Sequence, residues 1–295
     1  MGWFLTGPKK RKPKSTRKPA ARQPWDPQRT WRGVQWMLGV CGVLAVVIGW
    51  RYADRGLRGY IARTQTTPVT VDHIQLADQP AWMSDGLSED LRTMVAFELT
   101  ADPLDAAGLQ RAVLALRASP WVASVDRVER LPGGAARVVA SYREPLALVE
   151  HRGAYYLVDR EGVRLPQVYR RDQATAVGLT PIEGVSAALP VPGERWPGEE
   201  VPAALRLIGL LAGEHYFHQV KAVDTTERDT RGRLRLALRT DRATVRWGLP
   251  PGQEHSIEPP VATKLQWLEQ VYRTYGSIDD HGRNVDLFRA AAYLH

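Results

Sequence analysis

The chain has one cysteine in 295 residues, Cys41, and none after it. A disulfide framework is therefore excluded, and so is a metal site built on several cysteines. Catalytic motifs are missing as well: there is no P-loop, dinucleotide fingerprint, HExxH pattern or nucleophile elbow. His215 and His218 could share a helix face, but two ligands do not make a zinc site. They read as surface or partly buried histidines. Asp279–Gly282 reads as a solvated turn. Ser15–Lys18 matches the Ser-x-x-Lys pattern of penicillin-binding enzymes only by chance, because it lies in a low-complexity tail. These absences point away from an enzyme, and no cofactor, metal or small-molecule substrate is expected.

The body of the chain also lacks a basic excess. The whole chain carries a net charge of +8. Residues 1–32 hold ten Lys and Arg against Asp26 alone, a net +9, which leaves about −1 for the rest. A globular nucleic-acid surface loses its main support. The tail 1–32 reads as a disordered, cytoplasmic topology signal.

One apolar run follows. Gly33–Trp50, GVQWMLGVCGVLAVVIGW, carries no formal charge. At about 1.5 Å per residue it covers most of a ~30 Å hydrocarbon layer. Trp31 and Arg32 flank one end, Trp50 and Arg51 the other, as interfacial anchors do. No small-x-small cleavage site follows in RYADRGL, so the span reads as a retained anchor in the lipid bilayer. Residues 51–67 read as a linker, and the domains after it as exported.

Beyond the linker the predicted class is α+β. VTVDHIQL (69–76) alternates as a strand. Ser88 offers an N-cap for a helix carrying Leu91, Met94, Val95 and Leu99. Asp105 caps a second helix with Leu109, Ala112, Val113 and Leu116 on one face. SPWVASVDRVERLPGG (119–134) then gives a charged strand and a turn, and ARVVASYRE a second strand. The order is β-α-α-β-β over residues 68–145. A small sheet with helices on one face needs only one apolar side, so Arg127 and Glu129 read as solvent-facing. Val125 and Val128 cannot both point inward under strict alternation, which requires a bulge. Trp121 is expected under the helices, near Leu116 and Val113. Residues 146–295 read as a β-rich domain. It contains a strand at Leu179–Val185 and a helix at Pro202–Ala212. The alternating RLRLALRTDRATVRWG follows, then a helix opened by Pro259 and Pro260, and a last strand.

These residues carry a resemblance. SPWV at the end of a helix, Val128, Arg130 and Pro132, then Arg143-Glu144-Pro145, resemble the POTRA domain of the FtsQ/DivIB bacterial division family. The Asp159–Gly162 turn, Lys264-Leu265 on a helix and Val285-Asp286-Leu287-Phe288-Arg289 resemble its β domain, with the arginine displaced by one position. The resemblance implies a non-enzymatic bitopic scaffold of the inner membrane, at the division septum, with a cytoplasmic N-terminus. It implies FtsB- and FtsL-like bitopic coiled-coil partners, bound by strand addition at a C-terminal edge. The candidate partner-binding residues are Val285, Asp286, Leu287, Phe288, Arg289 and Tyr293. Phe288 could instead simply complete the core. Two other readings stay open: a POTRA-bearing helper for export or envelope assembly, and a membrane-tethered hydrolase assembled from scattered residues.

The charge pattern makes a topological prediction. Protease added to intact spheroplasts should digest the chain beyond about residue 65 and spare the basic tail. The reverse pattern contradicts the orientation.

Overall fold

A computed structural model describes residues 27–64, 69–102, 104–255, 257–279, 281–289 and 293–294. The expected tail and the end of the linker, residues 1–26 and 65–68, lie outside the described residues. The chain divides into two units, residues 1–60 and 61–295.

The first unit is made of helix α1 (Pro27–Thr64), with an apolar stretch, Gln35–Leu57, long enough to cross a membrane and unburied by the protein. The helix does not stop at Trp50. Nothing between Pro27 and Pro68 breaks it, since the sequence holds no proline between them. Trp31, Trp36, Trp50 and Tyr52 are all exposed on it. Length and composition fit a single-pass membrane protein.

The second unit holds two sheets. The first is built from β1 (Ile74–Leu76), β2 (Val122–Arg130) and β3 (Ala136–Tyr142), in the order β1-β3-β2. Strand β1 runs parallel to β3, and β2 antiparallel to it. Helices α2 (Asp85–Glu98) and α3 (Ala106–Ala118) connect β1 to β2. Leu91, Val95, Ala112 and Leu116 meet Val122, Val125, Ala136 and Val138 in one core. This is the expected β-α-α-β-β order, with two local corrections. The strand expected over 69–76 shrinks to β1, because Val71–His73 form a 3-10 turn. The cap of α2 is Ser84, whose Oγ accepts from Leu87 N–H at 3.3 Å. Ser88 lies one turn inside and donates its hydroxyl to the Asp85 carbonyl at 2.8 Å. Ser84-Asp85 offers the same capping chemistry one turn earlier than Ser88-Glu89. Asp105 caps α3 as predicted, accepting from Gly108 N–H at 2.9 Å.

Strand β2 shows how a charged strand builds a core. Its register against β3 slips twice, between Val122 and Ser124 and between Val125 and Arg127. Each bulge adds one residue, so inward positions recur every third residue: Val122 and Val125 are buried and Val128 is partly buried. Arg127 and Glu129 face solvent and pair with each other at 3.4 Å.

The second sheet has nine strands in the order β12-β11-β10-β9-β8-β7-β4-β5-β6. Its strands are β4 (Pro145–His151), β5 (Ala154–Asp159), β6 (Arg164–Tyr169), β7 (Thr180–Glu183), β8 (Ala222–Asp224), β9 (Leu236–Arg239), β10 (Thr244–Gly248), β11 (Val285–Asp286) and β12 (Tyr293–Leu294). The β5–β6 turn is organised by Asp159, whose Oδ1 accepts from Glu161 and Val163 N–H at 2.9 and 2.8 Å. Helices α4 (Arg171–Val177), α5 (Glu200–Leu211) and α6 (Val261–Tyr275) complete the unit. Ala147, Leu148 and Val149 of β4 are all fully buried. Ala147 and Val149 join the main core with α5, and Leu148 joins a smaller one on the other face. A continuous apolar run is what a strand covered on both faces requires.

That smaller core contains Trp121, which corrects the expectation that it sits under the helices with Leu116 and Val113. Trp121 packs with Leu148, Tyr155, Leu157 and Leu165 of the second sheet and stacks on Trp82 at 6.2 Å. Pro120 turns the chain, so Trp121 leaves the first core just before Val122 enters it. Arg143 adds an ion pair across the same joint, to Asp159 at 2.7 Å and Glu161 at 3.2 Å. Burial alone would lower the Arg143 guanidinium, but its hydrogen bonds with the two carboxylates outweigh that and raise it.

Trp121→Ala should therefore cost about 3–5 kcal/mol in denaturant unfolding of the second unit. An unchanged midpoint would mean that the ring does not join the sheets.

Candidate functional site

The C-terminal end of the second sheet is built late in the chain. Strands β9 and β10 form an antiparallel hairpin, with Val245 opposite Leu238. Helix α6 then carries the chain over so that β11 pairs parallel with β10, Val245 with Val285 and Arg246 with Asp286. Parallel neighbours demand such a crossover. Helix α6 opens at Pro260, follows a Lys264, Leu268, Val271 stripe of buried positions, and ends at Gly276, whose φ of +71° suits a left-handed cap.

The turn before β11 is solvated as expected at His281 and Gly282 but not at Asp279. Asp279 is buried and accepts the Thr240 hydroxyl at 2.6 Å. Its carbonyl accepts from Gly282 and Arg283 N–H, closing the turn. Asp280 lies outside the described residues. Val285 and Leu287 are fully buried in the main core, and Leu287 N–H donates to the Arg246 carbonyl at 2.9 Å.

The segment 285–293 is not one strand. It forms β11, bends at Phe288 and Arg289, and returns as β12, which pairs antiparallel with β11: Asp286 opposite Tyr293 and Val285 opposite Leu294. Strand β12 is then the outermost strand, and no described strand pairs with its outer side.

The structure brings most of the predicted residues together. Asp286 is fully buried between two cations, Arg246 at 3.6 Å and Arg289 at 3.5 Å. Phe288 is partly exposed and outside the core, with the Arg235 guanidinium 4.7 Å and that of Arg289 5.7 Å from its ring centre. The side chains of Tyr293 and Arg32 lie outside the described residues. Trp31, Trp50 and Arg51 lie on α1, which belongs to the other unit.

Lys264 was legible only as a family motif. Its side chain is fully buried and bonds Glu258 at 2.5 Å. Burial pulls its ammonium below the ordinary lysine range, against the opposing pull of Glu258. The signal for this burial was its place at i+3 from Val261 and i−4 from Leu268, on the apolar stripe. The histidines are not paired as ligands. His215 meets Glu269 at 3.4 Å and the Tyr272 ring at 4.8 Å, while His218 Nδ1–H donates to the His215 carbonyl. Among the described residues no three His, Cys, Asp or Glu side chains gather as a metal site.

Residues 147–287 match the family model for the C-terminal domain of cell division protein FtsQ/DivIB. The match supports the FtsQ/DivIB family of cell-division proteins for this chain; it takes in most of the nine-stranded sheet and ends at Leu287, before β12. No curated protein matches it.

Arg235 reaches Phe288 from the loop before β9, and Asp229 holds that loop. Its carboxylate accepts from Arg233 Nε at 2.6 Å and from Arg231 and Arg233 N–H at 2.8 and 2.9 Å. The Arg233 side chain first, then these amides, lower the Asp229 carboxyl to about 2. A depressed carboxylate stabilises above its unfolded value and loses that contribution as pH falls. Stability should therefore drop between pH ~4 and ~2, and Asp229→Asn should flatten this part of the profile. Equal slopes in unfolding titrations of the two proteins would contradict the assignment.

Proposed function

We propose that this chain is a non-enzymatic membrane scaffold of the division machinery. Its α1 helix spans the inner membrane with the basic tail in the cytoplasm, and its second unit, residues 61–295, acts outside the cytoplasm at the septum. It binds partner proteins by β-strand addition at the C-terminal edge. The partners are bitopic coiled-coil division proteins of the FtsB and FtsL type, as the family resemblance implies.

The observation that supports this reading best is the strand order. The large sheet ends on β12, a two-residue strand with no described strand on its outer side. Such an edge presents N–H and C=O groups that a partner's extended segment can pair with. The buried pair Val285 and Leu287 hold β11 in place, so backbone bonds supply affinity on a fixed template. Phe288, standing outside the core between two guanidinium groups, supplies selectivity. The first sheet, read as a POTRA-like domain, offers further edges to other division proteins.

In an antiparallel pair, neighbouring residues alternate between bonding the partner strand and pointing away. Of Tyr293 and Leu294, one therefore presents its N–H outward. Proline at that position removes an outward donor without breaking the β11–β12 pair. We expect one of Tyr293→Pro and Leu294→Pro to keep the circular dichroism spectrum yet lose capture of the partner's exported segment. Full capture by both folded variants would reject strand addition at β12.

A further inference from the structure

The exit of β10 and the bend after β11 press on one glycine. Gly248 has φ +96° and no room for a side chain. A Cβ there would collide with the Glu258 carboxylate and lie 2.5 Å from Cβ of Phe288. Glu258 and the candidate selectivity residue therefore both press on the face of Gly248 where a side chain would stand. Glu258 is in turn held. Its Oε1 accepts from Leu249 N–H at 2.8 Å and from Lys264 Nζ at 2.5 Å. Lys264 is fully buried, with its ammonium 4.9 Å from the centre of the Trp247 ring. A buried ammonium is tolerated only beside a counter-charge, and a buried carboxylate only beside donors. Each member fixes the next: Lys264 fixes Glu258, Glu258 fixes the Gly248–Leu249 backbone, and that backbone sets the floor on which Phe288 stands.

We infer that Lys264, acting through Glu258 and Gly248, is the positioning residue of the partner-binding edge. Its charge sets where Phe288 stands relative to β11, and so whether an incoming strand finds the edge in register. This role rests on the strand-addition reading. It differs from plain stabilisation in one respect: losing the charge should move Phe288 selectively, at temperatures where the domain stays folded.

The test uses the full chain in lipid nanodiscs, with phenylalanine replaced biosynthetically by 4-fluorophenylalanine. The chain has only four such positions, 4, 97, 217 and 288, and Phe288→Leu assigns the relevant resonance. Lys264→Met and, should that variant fail to fold, Glu258→Gln are compared with the parent. Each is also titrated with synthetic peptides of the exported segments of FtsB- and FtsL-type proteins. The expected result is a shifted or broadened Phe288 resonance and an unmoved Phe217 resonance. Capture should weaken by about tenfold or more, as loss of a binding hot spot does. A Phe288 resonance unchanged in the folded variants overturns the inference. So does a shifted resonance with undiminished capture, since Phe288 position would then not govern binding. A parent chain that captures neither peptide removes the strand-addition reading itself, and the role of Lys264 in binding falls with it.

Discussion

The parallel pairing of Val245 with Val285 is the constraint on which the C-terminal half depends. Two parallel neighbours cannot be joined by a tight turn. The chain must leave β10, run through α6 and come back, and every feature of the edge follows from that route. Gly248 lets the chain leave β10 at a left-handed angle. Pro259 and Pro260 start α6, Gly276 stops it, and Asp279 closes the turn that aims Val285 at Val245. The edge follows α6 in the chain, and Val285 and Leu287 tie β11 into the main core.

The same economy appears at the other joint. Trp121 and Arg143 bracket β2 and β3 of the first sheet, yet both look into the second. The two sheets therefore form one compact unit rather than beads on a linker. In the proposed scaffold this arrangement would keep surfaces on the two sheets in a fixed relation while different partners bind.

Much of this was legible in the sequence, and the failures have physical reasons. The β-α-α-β-β order and the bulge between Val125 and Val128 followed from apolar spacing. The Asp159–Gly162 turn followed from the family resemblance, and the span from its length and lack of charge. Ser88 was read as the cap because acids follow it; Ser84-Asp85 carries the same signal one turn earlier, and only tertiary packing decides between adjacent caps. Helix α4 and strand β8 were missed because each is short and takes its stability from neighbours. Trp121 was assigned to the nearer core, since sequence separation says nothing about a residue facing away from its own sheet. At the site, Val285, Leu287 and Phe288 were legible as more apolar residues than one buried face requires; Val285 and Leu287 fill the core and Phe288 does not. The return of the chain as β12 was not, because a two-residue strand has no periodicity to read. Lys264 was hidden by its charge: on a helical stripe a lysine reads as an edge residue, and only Glu258 shows why it can lie inside.

The central claim is that a partner strand adds at β12. Backbone hydrogen exchange of the full chain, measured with and without the exported segment of the partner, tests it most directly. New backbone hydrogen bonds slow the exchange of the amides that make them. The account predicts slowed exchange confined to residues 285–294, with the outward-facing amide of β12 changing most. Slowed exchange along β2 of the first sheet, with 285–294 unchanged, would contradict it.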